Sequence, residues 1–148
     1  MFKTERSDYE VIFVLTASQL SAGLQLVSAA YAEMLRPLCA ELQLSQTAMD
    51  ILLFLANNPE CQTVRDICAL RGLKPGLVSL TVEQLVQGGY LLRSTVPGDR
   101  RKWRLSCTEQ AGPFIARGRE LQEQFARRLT AGLTGEELET CRRCLRQC

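Results

Sequence analysis

Apolar residues recur at intervals of three and four through the first third of the chain, the spacing that places them on one face of an α-helix. The pattern predicts a long helix over Asp8–Leu42, with its last turns kinked or loosened by Pro37. Ser45 can cap a second helix that reaches about Ala56, because the sequence Asn57-Asn58-Pro59 stops a helix. This part of the chain is therefore predicted to form two helices.

A pair of short helices with a tight turn between them is predicted next. Thr63 can cap the first helix of the pair, and Gly72 can end it. Pro75 suits the first turn of the second helix, which Gly88-Gly89 terminates. Apolar spacing assigns the inward side of the pair to Val64, Ile67, Cys68, Leu70, Val78, Val82, Leu85 and Val86.

The pattern then changes from helical to alternating. Two runs with strand character, Tyr90–Val96 and Lys102–Cys107, flank the turn-forming sequence Pro97-Gly98-Asp99-Arg100-Arg101. This arrangement predicts a β-hairpin with a basic tip. Its second strand has an apolar side and a polar side, so we expect Trp103 to face the core, with stacking on a nucleotide as the alternative. The alternating residues are Trp103, Leu105 and Cys107 on one side and Lys102, Arg104 and Ser106 on the other.

Two more helices complete the chain. Thr108 can cap a helix that runs to about Ala131. Thr134-Gly135-Glu136-Glu137 is a capping box that opens the last helix. The predicted fold is mainly α with a small β-hairpin: the helix pair is a helix-turn-helix, and the hairpin that follows it is a wing. A helix of this size fits the major groove of DNA, and a basic loop fits the minor groove.

Positive charge is concentrated in the middle of the chain. Residues 1–60 carry three basic and seven acidic side chains, a net of −4, whereas residues 61–110 carry eight basic and four acidic ones, a net of +4. Residues 111–148 add a net of +2. A surface that binds phosphates must concentrate positive charge in this way, so the charge distribution favours a nucleic-acid partner.

Composition and the absence of certain motifs argue against several other classes of protein. The chain has no histidine, which removes the commonest metal ligand and the usual base of a nucleophilic triad, and no phosphate-binding glycine loop. We therefore expect that the protein is not an enzyme and binds no cofactor. The most apolar stretch, Val11–Ala32, is interrupted by six polar residues, and the N-terminus has no clear signal peptide. We expect a cytoplasmic protein that does not bind membranes.

The central segments resemble the MarR family of multiple-antibiotic-resistance-type regulators. The resemblance is carried by Leu70–Ser79, by Leu85–Arg93, and by Pro97-Gly98-Asp99-Arg100-Arg101 leading into Leu105-Ser106-Cys107-Thr108-Glu109. It implies a homodimer whose terminal helices (1–42 and 111–148) interlock around two winged helix-turn-helix modules (43–110). It also implies a repressor that binds a palindromic operator in double-stranded DNA and is released by a small molecule or by thiol oxidation.

The resemblance assigns DNA contacts to the second helix of the pair and to the wing. Asp99 matches the acidic residue that positions a wing arginine, and Arg93, Lys102 and Arg104 match contacts to the DNA backbone. The full set is Lys74, Gly76, Leu77, Ser79, Leu80, Glu83, Gln84, Arg93, Asp99, Arg100, Arg101, Lys102 and Arg104. Relatives often carry hydroxyl residues at positions 76 and 77 and a basic residue at position 80. This helix therefore offers few hydrogen bonds to bases. The alternative function that this suggests is a winged-helix module that binds proteins and has weak or no specific DNA binding.

Seven cysteines are an unusually large number for a chain of this length. Because the number is odd and no secretion signal is evident, we expect reduced thiols rather than disulfides. Cys39 and Cys68 fall in apolar patterns and are predicted to pack in the core. Cys141, Cys144 and Cys148 fall on one face of the last helix, where they could sense oxidant, bind a soft metal or pack in a dimer interface.

Overall fold

The computed structural model describes residues 16–96 and 98–147. The order of elements and the fold class predicted from the sequence are confirmed: four helices are followed by a two-stranded antiparallel hairpin and two further helices. The elements are α1 (Ala17–Leu42), α2 (Gln46–Asn57), α3 (Val64–Arg71), α4 (Pro75–Gln87), β1 (Leu91–Val96), β2 (Asp99–Cys107), α5 (Gly112–Thr130) and α6 (Gly135–Gln147).

Side-chain caps set the starts of most helices. Ser45 caps α2 by accepting a hydrogen bond from the Ala48 amide, and Thr63 and Thr134 each form the reciprocal hydrogen bonds of a capping box. Thr16 caps α1 with an extended backbone, so α1 begins at Ala17 and the prediction of a helix running unbroken from Asp8 is wrong at this residue. Residues 8–15 lie outside the described residues. The helix continues through Pro37 to Leu42.

The start predicted for α5 is also wrong. The Thr108 hydroxyl donates to the Gly89 carbonyl at 2.7 Å and accepts from the Ala111 amide at 3.2 Å. Thr108 therefore closes a turn against the end of α4 instead of capping a helix, and α5 begins four residues later at Gly112, with Pro113 in its first turn.

The core is built around α2, whose Met49, Ile51, Leu52 and Leu53 are fully buried. Every other element except α6 contributes buried residues to it: Leu35, Leu38, Cys39, Ile67, Val78, Val82, Leu85, Leu91, Leu105, Ala111 and Ile115. Gly118 lets α5 pack closely against α2, since a Cβ at this position would lie 2.6 Å from a methyl of Leu53. One core therefore joins the helix pair, the hairpin, α5 and the second half of α1.

Three inward assignments need correction. Leu70, in the last turn of α3, is 62% exposed, so the inward prediction for it is wrong. Trp103 is half exposed near the end of the hairpin, so the core-facing prediction for it is wrong. Thr81, not predicted to be inward, shares the buried face of α4, where its hydroxyl is satisfied by donating to the Leu77 carbonyl at 2.8 Å.

The apolar residues of α1 fall into two groups. Leu35, Leu38 and Cys39 in its second half are buried, whereas Leu20, Leu24 and Leu26 in its first half are 50–73% exposed. Among the described residues, no single helix has the length and hydropathy needed to cross a membrane; α1 and α2 pass that test only as a pair bent by 97°.

Candidate nucleic-acid interface

The turn between α3 and α4 orients the helix pair. Gly72 ends α3 with a left-handed backbone (φ 63°), a conformation that glycine adopts without steric cost. Lys74 is the N-cap of α4, and Pro75 occupies its first turn. Lys74 is exposed and makes no side-chain cap hydrogen bond. Its ammonium group therefore lies at the solvent side of the turn.

One face of α4 is buried and the opposite face is exposed. Val78, Thr81, Val82 and Leu85 form the buried face, while Leu77 and Leu80 are 45% and 61% exposed. Nothing lies within 4 Å of the position that a Cβ on Gly76 would occupy. The residues predicted to face outward on α4 do so in the structure. Their contacts with DNA stay a prediction. These residues are Gly76, Leu77, Ser79, Leu80, Glu83 and Gln84, of which Glu83 is partly buried.

An ion pair joins the outward face of α4 to the hairpin. Arg93 on β1 lies 3.1 Å from the Glu83 carboxylate, and Gln87 donates to the same carboxylate at 3.4 Å. Both charged side chains are partly exposed, at 34% and 47%. Sequence reasoning treated these residues as two separate DNA contacts. It missed their pairing because the contact depends on the angle at which β1 leaves α4.

The wing turn is tighter than predicted. Gly98 has a left-handed backbone (φ 86°), and β2 already begins at Asp99, so three of the five predicted turn residues belong to the strand. The register is regular from Leu91 opposite Cys107 to Thr95 opposite Trp103. It then shifts, placing Val96 opposite Asp99, so that residues 100–102 form an irregular bulge next to the turn.

The structure describes the side chains of only some of the basic residues in the wing. Arg104 is exposed on β2, opposite Ser94. The side chains of Arg100, Arg101 and Lys102 lie outside the described part, so their predicted roles stay predictions. The wing is anchored by Leu105, whose buried side chain packs in the core and whose amide donates to the Gln62 carbonyl at 2.8 Å.

A polar cluster lies where the end of α3 meets α1, α2 and α5, and no pattern in the sequence predicted it. Arg71 is 3.8 Å from the Asp50 carboxylate, and Gln122 donates to the Tyr31 hydroxyl at 2.8 Å. Burial raises the pKa of Asp50, an effect that Arg71 partly opposes, and burial likewise raises the pKa of Tyr31. Arg71 and Gln122 line two adjoining crevices of about 120 and 420 Å³.

Five of the six described cysteines fall into a group packed in or against the core and a group exposed on α6. Cys39 is buried, and Cys68 and Cys107 are partly buried against the core, as predicted. Burial raises the pKa of the Cys39 and Cys107 thiols, which keeps them protonated. Cys141 and Cys144 are exposed on α6, while Cys148 lies outside the described residues. Among the residues that are described, no group of three or more ligands could hold a metal ion.

Comparison with known proteins agrees with this architecture. A model of the MarR family matches residues 42–102, which span the end of α1 through the first part of β2. The transcriptional regulator PA3341 is similar in structure, with a TM-score of 0.76 and 26% identity over 86% of this chain and 93% of that one. A MarR protein from Peptoclostridium difficile gives a TM-score of 0.75 at 17% identity, over 96% and 92% of the two chains.

A third similar structure is a mutant MarR from E. coli in complex with operator DNA. Its TM-score is 0.67 at 19% identity, over 86% of this chain and 91% of that one. The shared fold extends beyond the winged module to the flanking helices. The family match over residues 42–102, together with a fold shared along most of the chain, shows that this protein is similar to the MarR family and has the same winged helix-turn-helix fold.

Proposed function

We propose that this protein is a transcription regulator that binds a palindromic operator in double-stranded DNA as a homodimer and acts as a repressor rather than as an enzyme. One observation carries the proposal: the face of α4 opposite the core is exposed along the helix, and the hairpin lies directly beside it. Such a surface can place α4 in the major groove and the wing over the adjacent minor groove. The net charge of +4 in residues 61–110 favours a polyanionic partner.

The homodimer is supported by the apolar residues that the terminal helices leave exposed. Leu20 and Leu24 lie one turn apart and line a shallow groove along α1 with Ala17, and Leu129, Leu133 and Leu145 are 41–74% exposed on and after α5. A second copy would remove these side chains from water. We assign residues 1–42 and 111–148 to dimerisation and 43–110 to DNA binding.

Release by a small molecule is supported by the crevices beside Arg71. Arg71 supplies a cation, Gln122 and Tyr31 supply hydrogen-bonding groups, and Phe125 supplies an apolar wall. This combination suits a small aromatic anion. Because Arg71 is the last residue of α3, an anion that draws it away from Asp50 would act on the helix-turn-helix directly.

Release by thiol oxidation is the alternative that Cys141 and Cys144 support. Both thiols are exposed, and their i, i+3 spacing places them on the same side of α6. Peroxide treatment of the wild type and of the Cys141→Ser/Cys144→Ser variant separates this route from the crevice, since only the wild type should then lose DNA binding.

The proposed function is tested by measuring affinity against salt for a natural promoter fragment and for a random duplex of equal length. A regulator prefers the promoter fragment and shows a steep fall in affinity with salt. Reversing the charges at Arg100 and Arg101 should abolish binding if the wing contacts DNA. Equal, weak affinity for both duplexes would instead favour the protein-interaction module, for which the exposed Leu77 and Leu80 would serve as an apolar contact.

A further inference from the structure

The centre of the outward face of α4 is apolar. At about 100° per residue, Leu80 lies opposite the buried side formed by Val78, Thr81, Val82 and Leu85, and it is 61% exposed. Leu77, one turn earlier, is 45% exposed. These two leucines form a continuous strip, here called the apolar ridge, along the part of the helix that would lie deepest in a groove.

The polar groups around the ridge leave its centre with few hydrogen-bonding partners to offer. Gly76, one turn before Leu80, has no side chain, and the space beside it is open. Glu83, one turn after Leu80, is paired with Arg93 at 3.1 Å and accepts a hydrogen bond from Gln87. Ser79 is exposed beside the ridge, and Gln84 is exposed one turn after Leu80, beyond the end of the ridge. Hydrogen bonding to bases is therefore confined to positions beside and beyond the ridge.

Among the base edges in the major groove, only thymine presents a methyl group. A leucine side chain can cover that methyl and exclude water from it. The same leucine placed against guanine, cytosine or the adenine amino group would leave a hydrogen-bonding group without a partner, which is costly in a desolvated interface. The apolar ridge can therefore distinguish thymine without making any hydrogen bond.

From these observations we infer that Leu80 and Leu77 select thymine in the operator by contact with its C5 methyl group. The inference rests on the proposed DNA-binding function and names the base that α4 reads. A protein partner for the ridge is less consistent with its setting, since the ridge is only two leucines wide and lies within the segment of net charge +4.

The test uses uracil, which pairs as thymine does and lacks only the C5 methyl. A duplex is first selected by the full-length protein from a random-sequence library. It is then synthesised again with uracil in place of thymine, one position at a time. We expect thymine at one or more positions of each half-site, with affinity falling about fourfold for each contacted methyl that is removed, the value of one buried methyl-sized group.

The variants Leu80→Ala and Leu77→Ala connect the effect to the ridge. Each should bring the ratio of affinities for the thymine and uracil duplexes close to one at the position it contacts. Both sites are exposed helix positions where alanine is well tolerated, so the fold should persist. Leu70→Ala, an equally exposed leucine on α3, is the matched control and should leave the ratio unchanged.

The outcomes separate this inference from the proposed function. A selected duplex that binds equally well in its uracil form, or a ratio that both ridge variants preserve, overturns thymine selection while leaving the regulator assignment in place. A selection that enriches no sequence, followed by capture of a protein through the ridge, overturns both.

Discussion

The central module and the terminal helices use leucine in opposite ways. In α2 and α4, leucines at helical spacing are fully buried, as Leu52, Leu53 and Leu85 show. In the first half of α1 and in α6, leucines such as Leu24 and Leu145 are 56% and 74% exposed. The difference indicates that one chain completes the core of the winged module, whereas the described part of the chain leaves apolar sides of the terminal helices exposed. The outward face of α4 is a third case, because its exposed leucines lie among polar residues and basic charge.

The largest expected effect follows from truncating the core of the central module. Leu52→Ala removes a fully buried side chain from α2 and should lower the free energy of unfolding by about 2–5 kcal/mol. Urea unfolding followed by circular dichroism measures the loss. Leu92→Ala, at a leucine that is 60% exposed on β1, is the control and should change stability by less than about 0.5 kcal/mol. Equal losses in the two variants would contradict the division into a buried and an exposed set.

A charge on α1 tests the other side of the comparison. Leu24→Glu places a carboxylate on the side of α1 that we assign to the dimer interface, and should weaken self-association by at least about tenfold. Sedimentation velocity over a range of protein concentrations measures the change. Leu92→Glu adds the same charge at a similarly exposed leucine outside the terminal helices and should leave self-association unaltered. If both variants dimerise as the wild type does, this side of α1 is not the interface.

Local signals explain which features the sequence could predict. Ser45, Thr63 and Thr134 cap helices through hydrogen bonds to residues three positions away, so their roles are visible in short stretches of sequence. The buried face of α4 is likewise defined by spacing within one helix. Order, fold class and the outward face of α4 were therefore predictable.

Features that depend on contacts between elements were missed. The side chain of Thr108 has a local partner in Ala111 and a distant one in Gly89, and the distant contact decides that a turn forms before α5. Arg71 pairs with Asp50 and Arg93 with Glu83 across separate elements. Nothing in the spacing of these residues reveals how two helices or a helix and a strand are oriented. The site is therefore less predictable than the fold that carries it.

Asp50 lies where the central module meets the terminal helices, and the pH dependence of stability tests its contribution there. Its pKa is raised by burial, so it is protonated in the folded state at pH values where the unfolded chain has already lost the proton. Asp50 therefore lowers stability as the pH rises from its ordinary pKa through its raised folded value. Asp50→Asn keeps the shape and the hydrogen bond from Gln46 and removes this loss, so the variant should exceed the wild type at neutral pH and match it in acid.

Urea unfolding of both proteins at a series of pH values measures that difference. A variant that is less stable than the wild type at neutral pH would mean that the attraction of Arg71 outweighs the desolvation of the carboxylate. Glu41, whose pKa is lowered mainly by its hydrogen bond with Arg117, acts in the opposite direction in both proteins and cancels from the comparison.

The smallest effect concerns the junction between α4 and the wing. If Arg93 neutralises Glu83 instead of a phosphate, the Glu83→Gln/Arg93→Gln double variant keeps both the net charge of this surface and the wild-type salt dependence of DNA binding. Arg104→Gln, which removes an exposed arginine predicted to contact the backbone, should reduce the slope of log K against log salt by about 0.9. Arg93→Gln alone should weaken binding, because it leaves the Glu83 carboxylate unneutralised near the phosphates, and adding Glu83→Gln should restore it. A double variant whose slope falls as far as that of Arg104→Gln would show that Arg93 leaves Glu83 on binding and contacts the DNA backbone, as the sequence first predicted.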